Sequence, residues 1–96
     1  MQIPLTTKNL GNIPYNVPVQ IEYDIVNNSE DFLTISNIQT GCGCSSGNMS
    51  INPIPPNQTG KFIIAYSANA RGSNSKSASF SALDNTHHFY FNANVV

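Results

Sequence analysis

Charged residues are scarce in this chain of 96 residues: Asp, Glu, Lys and Arg make up 9% of it, against about 25% in a typical soluble protein. The net charge is −1, and the only Lys and Arg residues are Lys8, Lys61, Arg71 and Lys76. Because binding to nucleic acid needs a cluster of cations that neutralises phosphates, we expect no nucleic-acid partner. The surface must be built from Asn, Ser, Thr and Gln, which suits secreted proteins and proteins in permanent contact with others.

Long apolar runs are also absent. No stretch approaches the roughly 20 residues that cross a bilayer, and Met1 is not followed by the basic segment and apolar run of a signal peptide. We therefore expect neither a membrane partner nor a leader. Tryptophan is absent, and Cys42 and Cys44 are the only cysteines, so the long-range Cys–Cys pair of an antibody domain is excluded.

What the chain does contain is alternation of apolar and polar residues, the pattern of strands with one buried face. In 75–83, for example, three serines alternate with Ala78, Phe80 and Ala82. Ile38 breaks the alternation of its segment, which predicts a bulge. Strands are predicted at 3–5, 19–25, 33–36, 49–51, 62–66, 75–83 and 88–95, with turns at 69–74 and 84–86 and a proline-rich loop at 53–60.

No segment has a helical apolar period, so the fold class is all-β. About seven antiparallel strands in a chain of this length predict one immunoglobulin-like β-sandwich over residues 1–96. Residues 1–16 are predicted to supply the first strand and, with it, a docking arm.

Eight short segments, taken in order, carry a resemblance to a known family. They are Leu10-Gly11-Asn12-Ile13, Val19-x-Ile21-x-Tyr23, Asn27-Asn28-Ser29, Leu33-x-Ile35, Gly41-Cys42-Gly43-Cys44, Pro53-Ile54-Pro55-Pro56, Gly60-x-Phe62-x-Ile64-x-Tyr66 and Gly72. Together they resemble the Hydin-like (ASH) immunoglobulin-like domains, and most closely the bacterial domain-of-unknown-function family with a Cys-Gly-Cys corner. The resemblance covers residues 10–95. It implies a seven-stranded sandwich with an interaction role and no established chemistry.

The Cys-Gly-Cys corner allows three interpretations. The thiolates of Cys42 and Cys44 could bind Cu(I) or Zn²⁺, but zinc needs two further ligands, and His87 and His88 would point to opposite faces of one strand. A disulfide between the two cysteines is possible but strained. We favour two small buried groups at a tight corner, with no metal and no cofactor. Because nothing in the sequence places a base beside a thiol, we also expect no enzyme activity and no catalytic residues.

Polar residues share one face of the last predicted strand. His88, Tyr90, Asn92 and Asn94 alternate there, and with the serines of 75–83 they form either a hydrogen-bonding contact surface or the plain solvent face of a sheet. Asn27, Asn48 and Asn57 begin glycosylation triplets, which are expected by chance in this composition. The candidate partner contacts are Pro4, Pro14, Tyr15, Pro55, Pro56, His88 and Tyr90.

The sequence thus predicts a non-enzymatic structural or interaction module. The first expectation is an accessory subunit of a phage virion, such as a capsid decoration (cement) protein, with the major capsid protein or other virion subunits as partners and homo-oligomerisation possible in the assembly. One alternative is a secreted protein, periplasmic or extracellular, that binds glycans or envelope proteins. Another is a small metal-binding protein that uses Cys42 and Cys44.

Overall fold

The computed structural model describes residues 1–41 and 45–96. Its strands form two sheets, one with the order β1-β7-β6-β3 and one with the order β2-β5-β4. This is the immunoglobulin-like sandwich that the alternation predicts. The strands are β1 (Thr7–Ile13), β2 (Val19–Val26), β3 (Ser36–Thr40), β4 (Ser45–Met49), β5 (Thr59–Tyr66), β6 (Gly72–Ala82) and β7 (Asn85–Val95).

Aromatic rings hold the two sheets together. The ring centres of Phe62 and Phe89 lie 5.0 Å apart, Tyr23 lies 5.0 Å from Phe89, and Phe80 meets Phe62 edge-on at 5.2 Å. Such offset and edge-to-face pairs add to the stabilisation from burial alone. The residues predicted to face inward on β2, β5, β6 and β7 form this core together with Leu33, Ile35 and Ile54.

The first strand differs from its prediction. Ile3 and Leu5 belong to no strand; Gln2 makes an isolated bridge to Val26 on the three-stranded sheet. The chain then crosses to the other sheet, where β1 pairs with β7 in parallel, so the sandwich is not antiparallel throughout. Alternation could not locate β1, because this edge strand buries only Ile13 fully.

The strand predicted at 33–36 is displaced toward the carboxyl terminus. Leu33 and Ile35 are buried as expected, but β3 begins only at Ser36. Leu33 pairs with Ile54, and the Asn52 side chain takes the place of a partner strand for Ile35. Sequence alternation detects burial here, but the hydrogen-bond partners are a loop and a side chain.

The predicted bulge is confirmed, since the β3–β6 register shifts between Ser36 and Gln39. The strand predicted at 49–51 is wrong in position: β4 covers Ser45–Met49 and shares only Met49 with it. Strand β5 takes Thr59–Gly60 from the predicted loop, and β7 begins at Asn85 instead of at residue 88. Strand β6 already begins at Gly72, inside the predicted turn at 69–74.

The β6–β7 hairpin turns over Leu83 and Asp84, with φ angles of 52° and 61°, rather than over 84–86. Two consecutive residues with positive φ are typical of a two-residue hairpin turn that follows the twist of its strands. This turn sets the register of eleven facing pairs between β6 and β7, from Ala82↔Asn85 to Gly72↔Val95.

Candidate interaction surface

The register of β6 and β7 creates a polar face on the outside of the four-stranded sheet. Because Ala78, Phe80, Phe89 and Phe91 point into the core, the alternate positions point outward. We call these ten residues the hydroxyl–amide face. They form the facing pairs Ser73↔Asn94, Ser75↔Asn92, Ser77↔Tyr90, Ser79↔His88 and Ser81↔Thr86. None of the ten is Asp, Glu, Lys or Arg.

Most polar groups on this face have no partner within the protein. In the part of the chain that the structure describes, the side chains of Ser75, Ser77, Ser79 and Asn92 make no hydrogen bond. Asn94 is an exception, since its Nδ2 donates to Asn12 Oδ1 at 2.9 Å. Hydroxyl and amide groups both donate and accept, so the face offers many hydrogen bonds to a binding partner.

Tyr90 lies near the middle of the face and is 49% exposed. Its backbone is fixed from below, because the buried Tyr23 hydroxyl donates to the Tyr90 carbonyl at 2.7 Å across the sandwich. Burial raises the pKa of Tyr23 to about 12, so this donor keeps its proton at all ordinary pH values. The exposed ring therefore stands on a rigid strand.

The neighbouring strands give the face a shallow relief. One open depression lies between Gln39 and Gly41 on one side and Ser77, Ser79 and His88 on the other. A second is lined by Asn9 and Gly11 together with β6 and β7. Open depressions suit the binding of an extended partner along the sheet better than the enclosure of a small substrate.

The outer face of the three-stranded sheet is different in kind. Lys61 Nζ lies 2.8 Å from Asp24 Oδ1 and 3.8 Å from Glu22 Oε1. The hydrogen bond from Lys61 lowers the pKa of Asp24. Opposite charges compensate one another on this face, whereas the hydroxyl–amide face has no charged positions to compensate.

The structure does not bring the predicted contact residues together. His88 and Tyr90 lie on the hydroxyl–amide face. Pro14 and Tyr15 lie at one end of the sandwich, where the Tyr15 N–H donates to Val96 O and the Arg71 guanidinium stands 4.4 Å from the Tyr15 ring centre. That distance is typical of a cation–π contact.

The other predicted contacts lie elsewhere. Pro4 is exposed on the segment that crosses between the sheets. Pro55 and Pro56 are half-buried in a loop beside Asn27. The predicted docking arm, residues 1–16, is partly paired with the sandwich: Gln2 bridges to Val26 of the three-stranded sheet, and β1 pairs with β7 of the four-stranded sheet.

Sequence reasoning missed a buried polar side chain with five hydrogen bonds, Asn27, which is 1% exposed. Its Nδ2 donates to the carbonyls of Asp31, Ile54 and Pro55 at 2.8, 2.9 and 3.1 Å. Its Oδ1 accepts from the N–H and hydroxyl of Ser29. We call this cluster the Asn27 knot, and it joins the loop after β2 to the loop before β5. The only local sign of it in the sequence is the spacing of Asn27 and Ser29. Because Asn27 is buried, it cannot serve as a glycosylation acceptor.

The predictions for Cys42 and Cys44 lie outside the described residues, so metal binding, a disulfide and burial all stay predictions. Within 1–41 and 45–96, no group of three His, Asp or Glu side chains is placed to hold a metal ion. As predicted, His87 and His88 point apart: the His87 ring packs 5.6 Å from Phe80, and His88 is exposed. Among residues 1–41 and 45–96 there is no helix with the length and apolar character needed to span a membrane.

The solved structures that are similar to this chain include the following two. A crystal structure of a protein of unknown function from Porphyromonas gingivalis W83 has a TM-score of 0.80 and 15% identity, and the match covers 94% of this chain and 44% of that one. The secreted serine protease VesC from Vibrio cholerae has a TM-score of 0.61 and 8% identity, covering 91% of this chain and 21% of the protease. At these identities the likeness shows the fold alone.

This chain therefore spans less than half the length of either structural neighbour. No curated protein matches it. The profile of the family described as "Protein of unknown function (DUF1573)" matches residues 1–95, and the chain belongs to that family.

Proposed function

We propose that the protein is a non-enzymatic interaction module and that the hydroxyl–amide face is its binding surface. One observation carries this proposal: a continuous face of ten paired positions has no charged residue, and most of its side-chain hydrogen-bonding groups have no partner among residues 1–41 and 45–96. A rigid sheet that presents such groups orders little on binding, which lowers the entropic cost of forming a complex.

The proposed setting is an accessory subunit of a phage virion, such as a capsid decoration protein. The low charge of the chain supports a place in a permanent assembly. Pro14 and Tyr15, at one end of the sandwich, are proposed as a second contact, with the major capsid protein or another virion subunit. A subunit that binds only the assembled particle would stabilise it by mass action.

Sedimentation of native source material through a density gradient tests this setting, with the chain located by mass spectrometry. We expect co-migration with a large particle in fixed ratio to a major shell protein. Migration as a free small protein would contradict the virion proposal.

A matched pair of charge insertions tests the face itself. Ser77→Glu places a carboxylate in the middle of the hydroxyl–amide face, whereas Ser46→Glu places one on the outer face of the other sheet. Both serines are on strands and lie outside the core. We expect only Ser77→Glu to weaken partner binding, and equal effects of the two variants would argue against the assignment.

A secreted or periplasmic binding module is the second candidate. It is favoured by the occurrence of the same fold as a minor part of two longer proteins, one of which is described as secreted. Recovery of the chain from the culture medium or a periplasmic extract, rather than with particles, would support this candidate.

We also propose that the family is related to the Hydin-like (ASH) domains, on the strength of the ordered motifs in residues 10–95.

The third candidate is metal binding by Cys42 and Cys44. Stoichiometric copper or zinc in the purified protein, lost in Cys42→Ser, would support it. If the purified protein contains no copper or zinc and takes up neither metal under reducing conditions, this candidate function is contradicted.

A further inference from the structure

We propose that the hydroxyl–amide face binds an uncharged carbohydrate chain laid across strands β6 and β7. This inference rests on the proposed function, because it names the chemical class that the binding surface recognises.

Charge is the first argument. The ten outward positions of the face have no carboxylate, ammonium or guanidinium group. Lys76, at an alternate position of β6, lines an open depression beside Tyr90, Ser75 and Ser77. One lysine is not the cluster of cations that a polyanion such as a nucleic acid or an acidic polysaccharide needs, and a basic partner would find no anion at the ten positions. Charge complementarity therefore favours a neutral ligand.

Hydrogen-bonding chemistry is the second argument. Sugar hydroxyls both donate and accept, and so do the side chains of Ser, Thr and Asn. Ser75, Ser77, Ser79 and Asn92 have no side-chain partner within the described residues, so they need not break an internal bond to contact a ligand. The five facing pairs extend over about 27 Å of strand, at roughly 3.4 Å a residue. A row of this length suits a chain of several sugars.

The position of Tyr90 is the third argument. Its ring is half-exposed in the middle of the row, and it faces Ser77 across the strands. The apolar C–H face of a sugar ring can pack on an aromatic ring while its hydroxyls reach the polar neighbours. His88 and Asn92 flank Tyr90 on the same side of β7 and are placed to accept or donate those bonds.

A protein partner fits the face less well. Protein interfaces are typically centred on several desolvated aromatic, aliphatic or arginine anchors. Here Tyr90 is the only large apolar group among ten outward positions, and five of the others are serines. Sugars need fewer apolar anchors and more hydrogen bonds.

Nuclear magnetic resonance titration of the ¹⁵N-labelled protein tests the inference. The ligands are three neutral hexasaccharides (maltohexaose, cellohexaose and mannohexaose), with hexagalacturonate as the anionic counterpart. We expect at least one neutral hexasaccharide to shift the amide signals of β6 and β7, and hexagalacturonate to shift them much less. Amides of Glu22, Asp24 and Lys61 on the other sheet should not move.

Two single substitutions make the titration specific. Tyr90→Ala removes the stacking ring but keeps the backbone carbonyl that accepts the hydrogen bond from the Tyr23 hydroxyl. We expect sugar binding to weaken by about tenfold. Phe32→Ala removes another exposed aromatic ring, in the loop between β2 and β3, and should leave affinity unchanged. Equal melting temperatures of the three proteins show that the fold is intact.

Three results would overturn the inference: no neutral hexasaccharide shifts the face, the shifts map elsewhere, or Tyr90→Ala binds as well as the parent protein. None of these bears on the gradient sedimentation or on the Ser77→Glu and Ser46→Glu pair. If Ser77→Glu abolishes partner binding while sugars fail, the face binds something other than carbohydrate and the proposed function stands.

Discussion

The Asn27 knot and the hydroxyl–amide face are made of the same residue types and use them in opposite ways. In the knot, the Asn27 amide satisfies three carbonyls and accepts two bonds from Ser29, all inside the protein. On the face, Ser75, Ser77, Ser79 and Asn92 make no side-chain hydrogen bond to the described residues. The contrast teaches that Asn and Ser alone do not mark a binding surface. Burial and internal partners separate a structural amide from an available one.

The largest expected effect concerns the knot. Asn27→Ala removes five side-chain hydrogen bonds that join the two loops, while the Leu33 and Gln58 N–H groups still donate to the Ile54 and Pro55 carbonyls. Because a buried hydrogen-bond network is broken, we expect a loss of about 3 kcal/mol in the free energy of unfolding. Asn48→Ala, at an exposed position of β4, is the control and should change it by less than about 0.5 kcal/mol. Urea unfolding of both variants is the measurement. If Asn27→Ala lowers the free energy of unfolding no more than Asn48→Ala does, the comparison fails, because the buried amide would then stabilise the fold no more than an exposed one.

A smaller effect is expected at the hydrogen bond beneath the face. Tyr23→Phe removes the donor to the Tyr90 carbonyl and should cost about 1 kcal/mol at neutral pH. Burial raises the pKa of Tyr23 to about 12, above the ordinary value near 10. The folded state therefore holds this proton more tightly than the unfolded state, and the corresponding stability is complete below pH 10 and is lost as the pH rises toward 12.

Denaturant unfolding of both proteins between pH 9 and 12 checks that sign. We expect the parent protein to lose more stability over this range than Tyr23→Phe does. Parallel pH profiles would show that the Tyr23 hydroxyl is not held as the structure places it.

The hairpin turn offers a stabilising change of similar size. Leu83 has a φ of 52° and is exposed, a conformation that costs a leucine roughly 1 kcal/mol and suits asparagine. Leu83→Asn should therefore raise the free energy of unfolding by about 0.5–1 kcal/mol, as measured by thermal and urea unfolding. Since Leu83 is not on the hydroxyl–amide face, partner binding should stay the same. A variant that is stabilised but binds differently would show that the face and the turn are coupled.

The smallest effects on stability are expected on the face itself. Ser75→Ala, Ser77→Ala and Asn92→Ala remove side chains without internal partners, so each should change the free energy of unfolding by less than about 0.5 kcal/mol. The same substitutions should weaken partner binding. If they destabilise the fold but leave binding intact, the face is structural and the comparison with the knot fails.

Strong alternation carried the prediction of the fold. Where a strand buries every second residue, as in β2, β6 and β7, the sequence located both the strand and its inward face. Alternation failed for β1, an edge strand that buries one residue fully, and for the Leu33–Ile35 segment, whose partners are Ile54 and a side chain. Local pattern records burial, whereas pairing depends on residues distant in sequence.

The candidate surface was predictable only in part. The outward residues of β7 follow from its alternation, so His88 and Tyr90 were placed together correctly. The exact partners on β6 depend on the turn at Leu83 and Asp84. Asp84 is a common turn residue, but Leu83 is not and the usual Asn-Gly or Asp-Gly pair is missing, so the predicted turn at 84–86 begins one residue late. The Asn27 knot depends on carbonyls of Ile54 and Pro55, 27 and 28 residues away, which no local pattern reveals.

Hydroxyl-radical footprinting of the protein in native source material, compared with the purified protein, tests the central claim most directly. Tyr90 and His88 report on the hydroxyl–amide face, and Lys61 with Ile63 reports on the outer face of the other sheet. We expect oxidation of Tyr90 and His88 to fall several-fold in the source material while that of Lys61 and Ile63 is unchanged. Protection of Lys61 and Ile63 with full oxidation of Tyr90 and His88 would contradict the assignment of the binding surface.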